Sequence, residues 1–155
     1  FLKDKDILKA LSLSDPGIVM GFRDKFETIE SYGIDMVFGN DDEAKAFTGK
    51  DNLDDAITAL KEKSFTSVIT TGAEGSVVIA EGNAEHVSGE QIQPVDTNGA
   101  GDMFAGSFMY AYLQNMPLAS CAKFSNYAAS KVVEIFGPRL SMDGYLAVKN
   151  NIQKY

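Results

Sequence analysis

The sequence predicts an α/β protein: a three-layer α/β/α sandwich around a mostly parallel sheet with an antiparallel edge. Short β-rich runs alternate with segments of helical spacing, the pattern of parallel strands joined by crossover helices. Only residues 66–88 break that alternation, with closely spaced strands that suit an antiparallel edge. The chain has 155 residues, 45% hydrophobic and 23% charged, enough for one globular domain, 1–155, with a single substantial core.

Leu8 to Ser14 reads as a short apolar strand, closed by the turn signal Asp15-Pro16-Gly17. A helix is expected from about Pro16 to Ser31, with Ile18, Phe22, Phe26 and Ile29 at roughly helical spacing. Ile34 to Phe38 is a strand that runs into Gly39-Asn40 and a helix from Asp41 to Phe47. Asn52 caps a helix from Leu53 to Lys63, whose Leu53, Ile57 and Leu60 share a face. Ser67–Thr71 and Ser76–Ala80 are strands around the turn Thr71-Gly72-Ala73-Glu74-Gly75, and Glu85–Ser88 is a third. A long apolar helix follows Asp102 to about Gln114. After the Asn115-Met116-Pro117 break a second runs to about Phe136, and Met142 to Asn151 closes the chain as a helix.

A formal net charge of −8 disfavours a nucleic-acid partner, since an acidic surface repels a phosphate backbone. No apolar run approaches the roughly 18–20 residues that span a bilayer. Phe1-Leu2-Lys3-Asp4-Lys5-Asp6 is too charged for a secretion signal, and the absence of a leading Met suggests a processed or cut boundary. The one cysteine, Cys121, sits on an apolar helical face and fits the reducing cytoplasm. His86 stands alone in an edge strand and reads as surface.

The most informative stretch is Asp96-Thr97-Asn98-Gly99-Ala100-Gly101-Asp102, where a loop becomes a helix. A helix start leaves N–H groups unpaired and carries partial positive charge, and glycines admit an anion to them. Gly99, Ala100 and Gly101 are therefore a candidate anion hole. Asp102 beside it is a candidate acceptor for the proton of an attacking hydroxyl. The plainer reading is a helix start with Thr97 or Asn98 as cap. No Lys-Ser/Thr follows, so this is not a Walker A loop. Phe104 occupies the third glycine position of the dinucleotide fingerprint, which excludes that motif as well.

Asp-Thr-x-Gly-Ala-Gly-Asp resembles the C-terminal signature of the ribokinase/adenosine-kinase (PfkB) family of small-molecule kinases, with all six specified positions matched. The resemblance implies a ribokinase-like fold, ATP and Mg²⁺, Asp102 as catalytic base and the Gly99-Ala100-Gly101 amides as anion hole. Gly39-Asn40-Asp41-Asp42-Glu43 is similar to the family's Asn-x-x-Glu motif, which implies that Asn40 and Glu43 organise Mg²⁺ through water. The same two residues also spell a capping box. Thr70-Thr71-Gly72-Ala73-Glu74-Gly75 resembles the nucleotide loop Thr-x-Gly-x-x-Gly, assigning Thr70, Gly72 and Gly75 to the nucleotide; alone it is a hairpin turn. Asn126, in the helix Phe124 to Ser130, falls where the family places a polar group against base or ribose, and Asn98 joins the nucleotide set. The alternative for that helix is a small-residue face packed on its neighbour. Some members bind a monovalent cation such as K⁺ through main-chain carbonyls, which points to Asp96, Asn98 and Ser141.

Two departures stand out. Gly137-Pro138-Arg139 replaces the family's Gly-Ala-x-Pro ending, leaving the acceptor open between sugar and nucleoside, with a lean to adenosine-kinase-like members. The match also covers only the family's C-terminal half. No Gly-Gly pair and no lid strands are present, so the acceptor-binding half and lid are expected to be absent. The chain alone is then expected to be nearly inactive and to self-associate through an exposed sheet edge into a homo-oligomer. The alternatives are a non-catalytic nucleotide-binding relic, or another α/β enzyme whose glycine loop holds a different anion.

Overall fold

A computed structural model describes residues 7–155; the charged segment Phe1–Asp6 lies outside them. The described residues form an open five-stranded mixed sheet in the order β1-β2-β3-β4-β5, with helices. The strands are β1 Ala10–Ser12, β2 Met36–Asn40, β3 Thr66–Thr70, β4 Gly75–Ala80 and β5 Asn83–Ser88. β1, β2 and β3 pair in parallel, with Leu11 opposite Val37 and Val37 opposite Ser67. The connections into β4 and β5 are too short for a crossover, so these neighbours run antiparallel. That is the edge expected from residues 66–88.

The chain divides into two compact units. One runs to Thr70 and adds Val78–Glu85; the other comprises Thr71–Val77 and His86–Tyr155.

In the first unit, strands buried on both faces read as apolar runs, and Met36, Val37, Val68 and Ile69 are 0–2% exposed. Asp15 accepts the N–H of Ile18 and starts α1 (Pro16–Gly21). The single helix expected over 16–31 is two. Phe22 leaves helical geometry at φ −127° and ψ 31°, and α2 (Arg23–Glu30) begins after it. Gly21, a weak helix former, permits the break. α2 then turns Phe26 edge-on against Phe47, with ring centroids 6.1 Å apart. α3 (Asp41–Thr48) ends at Gly49 with a left-handed φ of 70°, and α4 (Leu53–Leu60) is capped by Asn52.

In the second unit, α5 (Ala100–Tyr112) packs against α6 (Leu118–Val133), and α7 (Met142–Asn150) follows. Phe104, Phe108, Ala111, Cys121, Phe124, Ala128 and Val132 form its core. Cys121 is fully buried there, and burial pushes its thiol up to about 11. His86 is exposed on β5.

Candidate active site

α5 opens without a side-chain cap. Its N-cap is Gly99, neither Thr97 nor Asn98, and Gly99 has a left-handed φ of 79°. A Cβ there would lie 2.3 Å from the Pro138 carbonyl oxygen, so the position demands glycine for conformation and for space. The Ala100 N–H already donates to the Thr97 carbonyl at 3.3 Å, and Met103 makes the first intrahelical bond, to Gly99 at 2.9 Å. The N–H groups of Gly99, Gly101 and Asp102 have no partner among the described residues. Gly101 is exposed, and a Cβ there would meet nothing within 4 Å.

Asp102 is exposed, and its side chain makes no hydrogen bond or ion pair among the described residues. Together with Gly99, Met103, Tyr110, Arg139 and Lys149 it lines a cavity of about 640 Å³. The turn is thus neither covered by side chains nor aimed away from a cleft.

Asp96, at the head of the same motif, organises the loop. Its Oδ1 accepts the Asn98 N–H at 3.0 Å and its Oδ2 the Gly137 N–H at 3.0 Å. These two backbone donors, Asn98 first, hold its carboxyl below the usual aspartate range. Motif spacing could not reveal this bracing role, because Gly137 lies 41 residues away. Ser141, the other candidate near a monovalent cation, uses its hydroxyl to accept the Gly144 N–H at 3.2 Å and cap α7. Any such cation would have main-chain carbonyls as its ligands.

In the first unit, Asn40 and Glu43 satisfy one another. Asn40 Oδ1 accepts the Glu43 N–H at 2.9 Å, Glu43 Oε2 accepts the Asn40 N–H at 3.0 Å, and Asn40 Nδ2 donates to Glu43 Oε1 at 2.9 Å. The capping box is therefore present in full. Glu43 is 7% exposed. Desolvation raises its carboxyl above the ordinary range, opposed by the Asn40 N–H and aided by the charges of Asp15 and Asp42. Among the described residues no three His, Cys, Asp or Glu cluster to hold a metal. A carboxylate whose oxygens keep free lone pairs, beside an amide, suits a hard ion held through its water shell, as Mg²⁺ prefers.

Thr70 ends β3, and its hydroxyl lies 3.4 Å from the Gly39 carbonyl. Residues Gly72–Glu74 form a short 3-10 turn. Gly75 is forced by packing, since a Cβ there would sit 2.2 Å from the Val87 carbonyl oxygen, whereas Gly72 faces open space. Asn126 is 93% buried in α6; its amide nitrogen donates to the carbonyls of Val87 at 3.0 Å and Ser88 at 3.2 Å. Only its Oδ1 is left for a ligand.

The described residues thus combine an open α/β sheet, a glycine turn with bare amides and an unpaired acid beside them. The profile of the pfkB family carbohydrate kinases matches residues 5–143, and the chain belongs to that family. It is similar to adenosine kinase 2 of Arabidopsis thaliana, 33% identical over 142 residues, which are 82% of this chain and 41% of that protein. It is also similar to a cytidine kinase of Thermococcus kodakarensis, 31% identical over 67% of this chain and 38% of that one. The crystal structure of adenosine kinase from Sinorhizobium meliloti superposes with a TM-score of 0.85 at 33% identity, covering 92% of this chain and 44% of that chain. The chain thus spans about two fifths of the length of the curated relatives it matches.

Proposed function

We propose that the complete protein transfers the terminal phosphoryl group of ATP to a hydroxyl of a nucleoside or sugar, and that this chain supplies its phosphate turn and its base. The observation that carries this is the set of unpartnered N–H groups at Gly99, Gly101 and Asp102, beside an unpaired Asp102 side chain that lines a cavity together with Gly99. The acceptor oxygen forms a bond to phosphorus, its proton passes to the Asp102 carboxylate, and the bond to ADP breaks. Of the expected anion hole, the Gly99 and Gly101 N–H groups would donate to the migrating phosphoryl oxygens, joined by that of Asp102, while the Ala100 N–H is engaged by Thr97 and shapes the turn. Mg²⁺, when bound, neutralises phosphate charge; Asn40 and Glu43 would hold it through its waters. Thr70, Gly72, Gly75, Asn98 and the Oδ1 of Asn126 would face the nucleotide, and K⁺, if bound, the carbonyls near Asp96, Asn98 and Ser141.

The relatives' names favour a nucleoside over a free sugar as acceptor. The charge of −8 supports a small-molecule partner rather than a nucleic acid. No described helix is long and apolar enough to cross a membrane, and we place the protein in the cytoplasm. β1 is an edge strand of the described sheet, Ile7 just before it is 48% exposed, and this edge is our candidate for self-association into a homo-oligomer.

The alternative, a non-catalytic nucleotide-binding piece, is favoured for the chain in isolation by the two-fifths coverage. Without a partner half to hold the acceptor, on the order of 7–11 kcal/mol of barrier reduction is lost. ADP release with adenosine, cytidine and ribose tests both. Turnover is expected from the complete protein and almost none from these 155 residues. Full turnover by the short chain would refute its dependence on a second half.

A further inference from the structure

We infer that Arg139 is the phosphate clamp of this turn: its guanidinium would grip the oxygens of the bound polyphosphate while Gly101 and Asp102 donate from the helix end. The inference rests on the kinase reading above and adds a residue that the shared motifs do not contain, since Arg139 lies where the chain departs from the family's Gly-Ala-x-Pro ending.

The geometry singles out this side chain. Two cations line the cavity, Arg139 and Lys149. Lys149 is engaged, with its ammonium 5.8 Å from the centre of the Tyr110 ring. Arg139 is exposed and has no hydrogen bond, ion pair or ring contact among the described residues. It shares the cavity with Asp102 and yet forms no ion pair with it. The backbone holding Arg139 is also fixed to the turn. Pro138, its neighbour, sits directly against Gly99, and the Gly137 N–H is bound by Asp96. The anion donors and the arginine therefore belong to one braced loop pair.

Charge supplies the reason for a cation here. A polyphosphate entering a chain of net charge −8, next to the Asp102 carboxylate, meets repulsion that the bare amides offset only in part. Arginine is the side chain suited to that task, because its planar fork makes two parallel hydrogen bonds to phosphate oxygens and stays charged at any working pH. Arg139 neither gives nor takes a proton; it attracts and orients.

The test uses sodium tripolyphosphate with Mg²⁺, which carries the phosphate chain without base or ribose, titrated into the 155-residue protein. Calorimetry gives affinity, and amide spectra report on Gly101 and Asp102. Arg139→Ala is expected to weaken binding about 10- to 100-fold, the loss of charge-assisted hydrogen bonds. Arg139→Lys is expected to recover part of it. The melting temperature should stay nearly unchanged in both, since the exposed side chain makes no hydrogen bond, ion pair or ring contact among the described residues. If Arg139→Ala binds as tightly as the parent while the two amide signals still shift, the clamp is overturned and the phosphate turn survives. If tripolyphosphate leaves both amides of the parent unmoved, the turn and the clamp fall together.

Discussion

Asn40–Glu43 and Gly99–Asp102 are both helix starts with polar groups, and they are built in opposite ways. At the first, each donor and acceptor of the pair has found the other, and Glu43 is nearly buried. At the second, no side chain caps the helix, three amides are bare and the acid is exposed. A self-satisfied end stabilises its helix; an unsatisfied end gives up that stabilisation and keeps donors free for a ligand. The difference separates a residue pair that first serves the fold from a turn held ready for chemistry.

The sharpest way to break this contrast is Asp102→Asn in the complete protein. ADP release should fall about 10²- to 10⁴-fold, the contribution of a positioned base, while ATP affinity changes little. Retained turnover would remove Asp102 from the chemistry. Next in size is Gly99→Ala. It combines a left-handed φ with a clash against Pro138 and should cost about 2–4 kcal/mol in urea unfolding followed by circular dichroism. Gly101→Ala, one turn position away with open space around it, should be within about 1 kcal/mol of the parent or slightly more stable. Equal effects at the two glycines would mean the turn is not divided into a packed and an open side.

Asn40→Ala should cost about 1–3 kcal/mol, because it removes the cap on the Glu43 N–H and takes the amide donor from Glu43 Oε1, leaving the carboxylate only the backbone N–H of residue 40. At this end the folded chain holds the Glu43 proton more tightly than the unfolded chain does. Stability therefore falls as pH rises from the ordinary carboxylate range through the raised folded value, and Glu43→Gln should remove that slope. Asp96 has the opposite sign and the smaller effect. Its lowered carboxyl contributes fully above the usual aspartate range and fades as pH falls through the folded value. Thermal unfolding of Asp96→Asn across acid pH should show that limb flattened.

Much of this was legible in the residues themselves because it depends on neighbours in sequence. Asn40 and Glu43 stand three apart, the spacing of a capping box, and the box formed. Gly99 to Asp102 lie where a loop meets an apolar helix, and the turn stayed open. What escaped depends on partners far along the chain. Asp96 reaches Gly137, and Asn126, assigned to base or ribose, gives its amide nitrogen to Val87 and Ser88. Gly75, assigned to the nucleotide loop, is required by the carbonyl of Val87. The break at Phe22 was hidden because the periodicity of Phe22 and Phe26 continues across it; it shows in the Phe22 backbone, at φ −127° and ψ 31°.

The packing around Cys121 has a practical side. It is the only sulfhydryl in the sequence, it is sealed within the second unit, and its high proton affinity leaves almost no thiolate near neutrality. Maleimide reagents should pass it by. A cysteine introduced on the surface, for a dye or spin label reporting on ligand entry, would then react alone without first stripping the native protein of its own.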